Sequence, residues 1–132
     1  MKKSLTLLLV IITCSSAFKP QTLKGTWKYL GGIYKGKPEE ASKEYTLQRE
    51  YDDAHFNAFL LEPNQPLYKY QSGNYTLTKD SCFETETASA QPSKLTGITI
   101  RYHFNITHDT LKLTGILPNG NNVEEHWLRQ HK

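Results

Sequence analysis

A basic residue and two acidic residues in the middle of the sequence have the types and spacing that a binding or catalytic site needs. Arg49 alternates with Leu47 and Tyr51, so it is predicted to share their strand face, and an arginine that points inward requires an anionic partner. Glu84 and Glu86 are two residues apart and therefore share a face. Paired carboxylates can exchange protons or hold a metal. The pattern predicts either an ion pair of Arg49 with one of these acids or a site where Arg49 binds a ligand carboxylate.

A second group of candidates is centred on His55, which shares a predicted strand face with Asn57 and Phe59. A catalytic hypothesis pairs His55 with Glu84 in a cleft. The sequence contains no Gly-x-Ser-x-Gly motif, no phosphate-binding glycine loop and no paired cysteine motif, and its histidines lack the i,i+2 or i,i+4 spacing of metal ligands. The sequence therefore predicts a protein that is not an enzyme and that has no cofactor and no metal site.

The tyrosines are the remaining candidates for ligand contact. A tyrosine suits an amphipathic cavity because its ring is apolar and its tip is polar, and it also suits a strand for packing reasons alone. Cys82 is interpreted as a small buried residue rather than a nucleophile. The predicted interior ligand contacts are Arg49, His55, Asn57, Tyr75, Glu84 and Tyr102.

The first 17 residues have the pattern of a secretory leader. Lys2 and Lys3 precede an apolar stretch over residues 5–12, and Ser15-Ser16-Ala17 places small residues at a cleavage site. Cleavage after Ala17 predicts a periplasmic or secreted protein. In the alternative interpretation, Ile11-Ile12-Thr13-Cys14 is a lipobox, and Cys14 carries a lipid anchor to the cell envelope.

The charge of the mature chain limits its partners. The whole sequence has 16 basic and 13 acidic residues, and removal of Lys2 and Lys3 with the leader leaves 14 basic against 13 acidic. Nucleic-acid binding depends on neutralising several phosphates with clustered basic residues. The near-neutral balance therefore predicts no nucleic-acid partner.

The elements that must position the candidate residues are short strands. Alternating apolar and polar residues, separated by turns such as Asp52-Asp53 and Pro118-Asn119-Gly120-Asn121, indicate antiparallel pairs. Gly31-Gly32 is predicted to end or bend the first strand, and residues 33–43 are predicted to form a loop with at most one helical turn. Eight strands are predicted, over residues 24–30, 43–51, 54–61, 67–78, 82–89, 97–106, 110–117 and 123–130.

Residues 18–132 are long enough for one domain, and eight meandering antiparallel strands can close into a barrel that has no exposed edge. A barrel of this size holds side chains or one small ligand in its interior. The predicted fold class is therefore an all-β, eight-stranded, up-and-down antiparallel barrel.

At its two ends, the predicted barrel resembles the lipocalin and fatty-acid-binding (calycin) superfamily. Gly25-x-Trp27 opens the first strand, and Arg129 lies two residues after Trp127 in the last. In that superfamily a tryptophan of the first strand packs beneath an arginine of the last strand. The resemblance implies that Trp27 and Arg129 close one end of the barrel through a cation–π contact.

Five short motifs, in order, are also similar to those of a small lipocalin-like family of exported Bacteroidetes proteins. The resemblance implies a barrel and an envelope location, and it implies no particular activity. The motifs are Gly25-Thr26-Trp27, Ala54-His55-Phe56, Ser72-Gly73-Asn74-Tyr75-Thr76-Leu77 with Cys82-Phe83-Glu84, His108-Asp109-Thr110-Leu111-Lys112-Leu113, and Val123-Glu124-Glu125-His126-Trp127-Leu128-Arg129.

Two functions from different classes fit this sequence. The first is an exported carrier that binds a small apolar or amphipathic molecule inside the barrel. The second is a structural or interaction module of the cell envelope whose core is filled and which has no ligand. A cavity of roughly 300 Å³ or more favours the carrier, and a core packed solid favours the module.

Overall fold

The structure is a computed structural model that describes residues 21–131, and it is built from strands. The predicted leader and the predicted lipid anchor at Cys14 lie outside the described residues. Residues 21–131 contain no helix that is long and apolar enough to span a membrane. The nine strands are β1 Gly25–Tyr34, β2 Lys37–Glu40, β3 Thr46–Tyr51, β4 His55–Leu61, β5 Tyr68–Leu77, β6 Ser81–Ser89, β7 Thr99–Thr107, β8 Thr110–Ile116 and β9 Asn122–Gln130.

The strands form a closed barrel. From β3 to β9 each strand pairs antiparallel with the next, and β1 pairs with β3 on one side and with β9 on the other. Strand β1 thus joins both ends of the meander, and the sheet has no gap at this junction. The prediction of an eight-stranded antiparallel barrel is confirmed for β1 and β3 to β9, and β2 is an additional strand.

The prediction of a loop over residues 33–43 is wrong, because β1 continues to Tyr34 and β2 folds back on it. Gly31 and Gly32 do not end the strand. The register of β1 against β9 shifts between Tyr29 and Gly31, and Gly31 has a φ of +118°. A Cβ atom on Gly32 would lie 2.0 Å from the carbonyl oxygen of Glu124. The two glycines therefore permit a bulge and a close approach of two backbones, which allow the strand to bend and continue.

Two ends of the barrel can be distinguished by their connections. The base carries residues 21–24 and the turns at 52–54, 78–80 and 108–109, and the mouth carries the loops at 41–45, 62–67, 90–98 and 117–121. Alternate residues of each strand face inward and form the core. The buried apolar core consists of Leu23, Trp27, Tyr51, Phe56, Tyr75, Cys82, Ile100, Tyr102, Phe104, Leu111, Leu113 and Trp127.

Trp27 and Arg129 close the base as the resemblance implied. The Trp27 side chain is fully buried and donates a hydrogen bond from Nε1 to the carbonyl oxygen of Leu23 over 2.7 Å. The Arg129 guanidinium lies 4.2 Å from the centre of the Trp27 ring. It also donates hydrogen bonds to the carbonyl oxygens of Lys24 at 3.0 Å and Thr22 at 3.3 Å. The entering chain is thus fixed beneath the last strand.

Candidate ligand-binding site

The inside of the barrel contains a buried ion pair. Arg49, on β3, donates from Nη1 to both carboxylate oxygens of Glu84 at 3.0 Å and to the Tyr51 hydroxyl at 2.8 Å. The Tyr51 hydroxyl donates in turn to Glu84 at 2.7 Å. Arg49 and Glu84 are both more than nine-tenths buried. Of the two acids predicted as partners, Glu84 therefore neutralises Arg49, and both acids are buried rather than on an exposed face.

The surroundings of Arg49 favour its charged form. Burial alone would lower its pKa, but the charge of Glu84 and the weaker influence of Tyr51 and Glu125 raise the pKa well above the usual arginine value. The guanidinium also lies 5.1 Å from the ring centre of Phe56 and 5.3 Å from that of Trp127. The aromatic faces contribute attraction to the cation where water is excluded.

The other edge of the Arg49 guanidinium is less well satisfied. Nη2 donates to the Gln71 side-chain oxygen over 3.4 Å, and Nε is buried without a hydrogen-bond partner among residues 21–131. An unpaired buried donor costs about 1–3 kcal/mol, so it marks a place where an acceptor is missing. A cavity of about 30 Å³ adjoins these groups. Its walls are Arg49, Phe56, Gln71, Glu84, Glu86, Leu95, Ile98, Ile100 and Tyr102.

The loop over residues 90–98 covers this cavity and is attached to Glu86. Thr96 donates from Oγ1 to the Glu86 carboxylate over 2.7 Å, and the Gly97 amide donates to the Glu86 carbonyl oxygen over 2.8 Å. Gln71 donates to the same carboxylate from Nε2 over 2.6 Å. Burial raises the Glu86 pKa, and hydrogen bonds from Ser93, Thr96 and Gln71 outweigh it, so the net pKa is lowered.

A larger cleft opens at the mouth, where β1 separates from β3. Its volume is about 700 Å³, and it is open to solvent. Tyr29 and Leu47 belong both to this cleft and to the packing around the core, so the cleft adjoins the inner wall. Its lining mixes apolar and charged side chains: Lys28, Tyr29, Leu30, Ala41, Ser42, Lys43, Glu44, Tyr45, Thr46, Leu47, Leu61, Glu62 and Pro63.

Glu125 is a third inward-facing acid, and it is not among the residues predicted from the sequence. Its carboxylate accepts a hydrogen bond from Trp127 Nε1 over 3.1 Å, and the Trp127 ring centre lies 5.1 Å from that of Tyr29. Burial, followed by the charge of Glu125, raises the pKa of Tyr29 to about 12. A sequence signal existed, because Glu125 is two residues before the inward-facing Trp127 and must share its face.

Four of the six predicted ligand contacts face the interior. Arg49, Glu84 and Tyr102 lie together around the small cavity. Tyr75 is buried at the base instead, where its hydroxyl donates to the carbonyl oxygen of Asp52. Burial, with smaller effects of Cys82 and Asp52, raises the Tyr75 pKa to about 12. Tyr75 is therefore separated from the mouth by the core.

The predicted interior positions of His55 and Asn57 are wrong. Phe56 and Ala58 carry the inner face of β4 and are fully buried, so their neighbours face outward. The His55 side chain is 63% exposed, with Nδ1 lying 3.4 Å from the Asp52 carboxylate. Both faces of β4 contain apolar residues, so the sequence pattern did not distinguish the inner face from the outer one. The prediction chose the wrong face by a shift of one residue.

The catalytic hypothesis does not fit this geometry. His55 lies on the outer wall and Glu84 on the inner wall, so the two side chains share no cleft. Cys82 is fully buried, and burial followed by the charge of Glu84 raises the pKa of its thiol well above the usual value. Within the part of the chain that the structure describes, no three His, Cys, Asp or Glu side chains converge as metal ligands. The barrel is a fold typical of binding proteins rather than enzymes.

Comparison with models of known protein families finds no match to this chain. Comparison with curated proteins finds no matching sequence either.

Proposed function

We propose that this protein is an exported, lipocalin-like barrel that binds a small, partly apolar molecule at its mouth. The cleft between β1 and β3 is the observation that supports the proposal, since its volume of about 700 Å³ lies within the usual range of ligand sites. Leu30, Tyr45 and Leu47 supply an apolar wall, and Lys28 and Glu44 supply polar groups at its edge. Such a lining suits an amphipathic ligand.

The deep interior is a poorer site for a whole ligand. The cavity beside Arg49 has a volume of only about 30 Å³, close to the space that one water molecule occupies in the liquid. Glu84 already neutralises Arg49, so the expectation that Arg49 binds a ligand carboxylate loses its main physical reason. The proposed ligand site is therefore the cleft at the mouth rather than the deep interior.

The filled lower core also supports the second function. A barrel whose base is packed solid has the properties of a structural or interaction module of the envelope, and such a module requires no cavity. The two functions differ in one measurable property. The carrier binds one small apolar molecule saturably at the cleft, and the module does not.

The test uses N-phenyl-1-naphthylamine, a neutral apolar probe whose fluorescence rises on burial. We expect saturable binding at one site. Leu30→Ser in the cleft should weaken binding about fivefold, because a partly buried leucine contributes about 1 kcal/mol to an apolar contact. Leu30 is 44% exposed in the probe-free protein, so the variant should keep the fold.

Leu128→Ser is the matched control. Leu128 is a leucine of similar exposure, 36%, on the outer wall of β9, and its replacement should leave probe affinity unchanged. Equal weakening by both variants would remove the cleft as the site. Absence of saturable binding by the unmodified protein would favour the envelope module.

Export and family membership are part of the same proposal and are supported by the sequence patterns alone. Denatured mass spectrometry of protein purified from its own envelope tests export, because an N-terminus at Phe18 means cleavage after Ala17 and an acylated Cys14 means a lipoprotein. Retention of Met1 would contradict both forms of export. A native mass that exceeds the denatured mass by a discrete small molecule would identify the natural ligand directly.

A further inference from the structure

The charges inside the barrel do not balance. Glu84, Glu86 and Glu125 are three acids on the inner wall of the described residues. Two basic side chains face the same side: Arg49 lies among these acids, and Arg129 lies at the base, over Trp27 and beside Asp109. Glu84 neutralises Arg49 directly. Glu86 accepts its side-chain hydrogen bonds from the uncharged groups of Gln71 and Thr96. The interior therefore has an excess of negative charge, which opposes the entry of another anion.

The unpaired edge of Arg49 nevertheless requires an acceptor. In a guanidinium group the Nε–H lies beside one N–H of Nη2, and together they form one donor edge. Nη2 faces Gln71, a wall of the small cavity, so this donor edge adjoins the cavity. The cavity holds about 30 Å³, which is space for one oxygen-sized polar group. A neutral acceptor satisfies Nε without adding to the negative charge.

The cleft and the cavity are lined by neighbouring residues of β3 and of the segment just before it. Tyr45 and Leu47 line the cleft, and Arg49, next on the same face, lines the cavity. Residues two apart on one strand face are separated by about 7 Å. A molecule lying along this face would contact Tyr45 and Leu47 with its apolar part and reach Arg49 with its end.

We propose that the ligand is a neutral amphiphile whose terminal hydroxyl or carbonyl oxygen accepts a hydrogen bond from Arg49 Nε, while its apolar body lies along Leu47 into the cleft. This inference rests on the proposed function and specifies the ligand class for the same site. A hydroxyl fits particularly well, because it also donates to the nearby carboxylates. A carboxylate of the same chain length is disfavoured by Glu86 and Glu125.

The test compares 1-decanol, decanoate and decylamine by calorimetric titration at pH 8, where the acid is ionised and the amine is cationic. The three molecules share one alkyl chain and differ in the charge of the terminal group. We expect 1-decanol to bind more tightly than decylamine, because an ammonium group has no acceptor for Arg49 Nε. Decanoate should bind at least about tenfold more weakly than 1-decanol, because a partly buried carboxylate meets uncompensated negative charge. Equal or tighter binding of decanoate or decylamine would overturn the inference.

Two adjacent glutamates supply a matched pair of variants. Glu125→Gln removes one negative charge from the inner face and keeps an acceptor for Trp127. Glu124→Gln removes one negative charge from the outer face, where Glu124 contacts His126. The preference for 1-decanol over decanoate should fall about threefold in Glu125→Gln and stay constant in Glu124→Gln. An equal change in both variants, or none in Glu125→Gln, would contradict an effect of interior charge.

The position of the polar end is tested by the NMR signal of the Arg49 Nε–H group, assigned from its loss in Arg49→Lys. Binding of 1-decanol should shift this signal. Binding of 1-decanol with an unchanged signal would show that its hydroxyl does not reach Arg49, and the inference would fail while the proposed function stands. Failure of the naphthylamine probe and all three decyl compounds to bind would instead overturn the proposed function.

Discussion

The base and the mouth of this barrel differ in how completely their side chains are packed. At the base, Trp27 and Leu111 have no solvent exposure, and Arg129 and the segment before β1 cover Trp27 from below. At the mouth, Tyr29 and Leu47 are only half buried, and charged groups lie beside an open cleft. The base is therefore packed more completely than the mouth, where partly exposed apolar and charged side chains remain beside the cleft.

The transition between these regions is the layer of Arg49 and Glu84. Below it, Tyr51 packs edge-to-face on Tyr75, with ring centres 5.1 Å apart, and the core is apolar. Above it, Gln71 and Glu86 connect the ion pair to the loop over residues 90–98 through hydrogen bonds. A mutation at the base should therefore reduce stability strongly, whereas a mutation above this layer should act mainly on the loop and on binding.

The largest expected effect is that of Trp27→Ala at the base. Removal of a fully buried tryptophan leaves a cavity and removes the surface on which Arg129 packs, so the free energy of unfolding should fall by about 4 kcal/mol. Urea unfolding measures this change. Ile98→Ala at the mouth is the comparison, and it should cost less than about 1 kcal/mol, since Ile98 is 39% exposed. Similar losses in both variants would show that the two ends are equally important for stability.

The next effect is expected for Glu84→Gln in the intermediate layer. This change leaves the buried Arg49 charge without its counter-ion, and loss of one partner of a buried ion pair costs about 3 kcal/mol. Glu86→Gln is the matched change nearer the mouth, and it should cost about 1 kcal/mol because its side-chain partners are uncharged. Chemical unfolding of the two variants under identical conditions measures the difference. A larger loss for Glu86→Gln would contradict the assignment of Glu84 as the counter-ion.

The sequence was sufficient to predict the base because strand alternation and the family resemblance both apply there. Alternation defined most strands to within a few residues, and Trp27 and Arg129 lie near the two ends of the chain, which must meet when eight strands close. The same alternation placed Arg49, Glu84 and Tyr102 inside. It did not identify the extra strand β2, because the polar segment Lys37–Glu40 is fully exposed and has no apolar face.

The mouth was harder to predict because its contacts depend on the height of each residue along the barrel axis. Glu84 and Glu86 share one strand face, so the alternation pattern predicts both as partners of Arg49. Which one pairs with Arg49 depends on their positions along the barrel axis, which the alternation pattern does not give. His55 was assigned inward because both faces of β4 contain apolar residues, so the pattern could not separate them. The cleft itself arises where β1 leaves β3 to pair with β2, which depends on the strand that the sequence did not predict.

A smaller effect is expected for Thr96→Val, which removes the hydroxyl that attaches the loop over residues 90–98 to Glu86. Valine has nearly the same shape, so the change removes a hydrogen bond to a charged acceptor and should lower the free energy of unfolding by about 1.5 kcal/mol. Hydrogen exchange should become faster in this loop and remain unchanged at the base. Thr107→Val, which removes a hydroxyl contact to Asn105 near the base turn, is the control and should leave exchange in the loop unaltered. Faster exchange throughout the barrel would mean that the loop is not an independent element.

The smallest expected effect is on the pH dependence of the free energy of unfolding, and it involves Glu86 near the mouth. The folded-state pKa of Glu86 is lowered, so its carboxylate stabilises the fold above the unfolded pKa of about 4.3, and this contribution is lost as the pH falls through the lower, folded value. The Glu86→Gln side chain does not titrate, so this variant should lose less stability than the unmodified protein between pH 7 and pH 3. Unfolding curves at several pH values measure the difference.

The exposed Asp52 at the base also has a lowered pKa, mainly through hydrogen bonds from the Ala54 and His55 amides. Asp52→Asn should therefore independently reduce the loss of stability at acidic pH. If the double variant reduces the loss no further than Glu86→Gln alone, the acid sensitivity arises at the mouth. An acid loss that Glu86→Gln leaves unchanged would show that the attachment of the loop does not depend on the charge of Glu86.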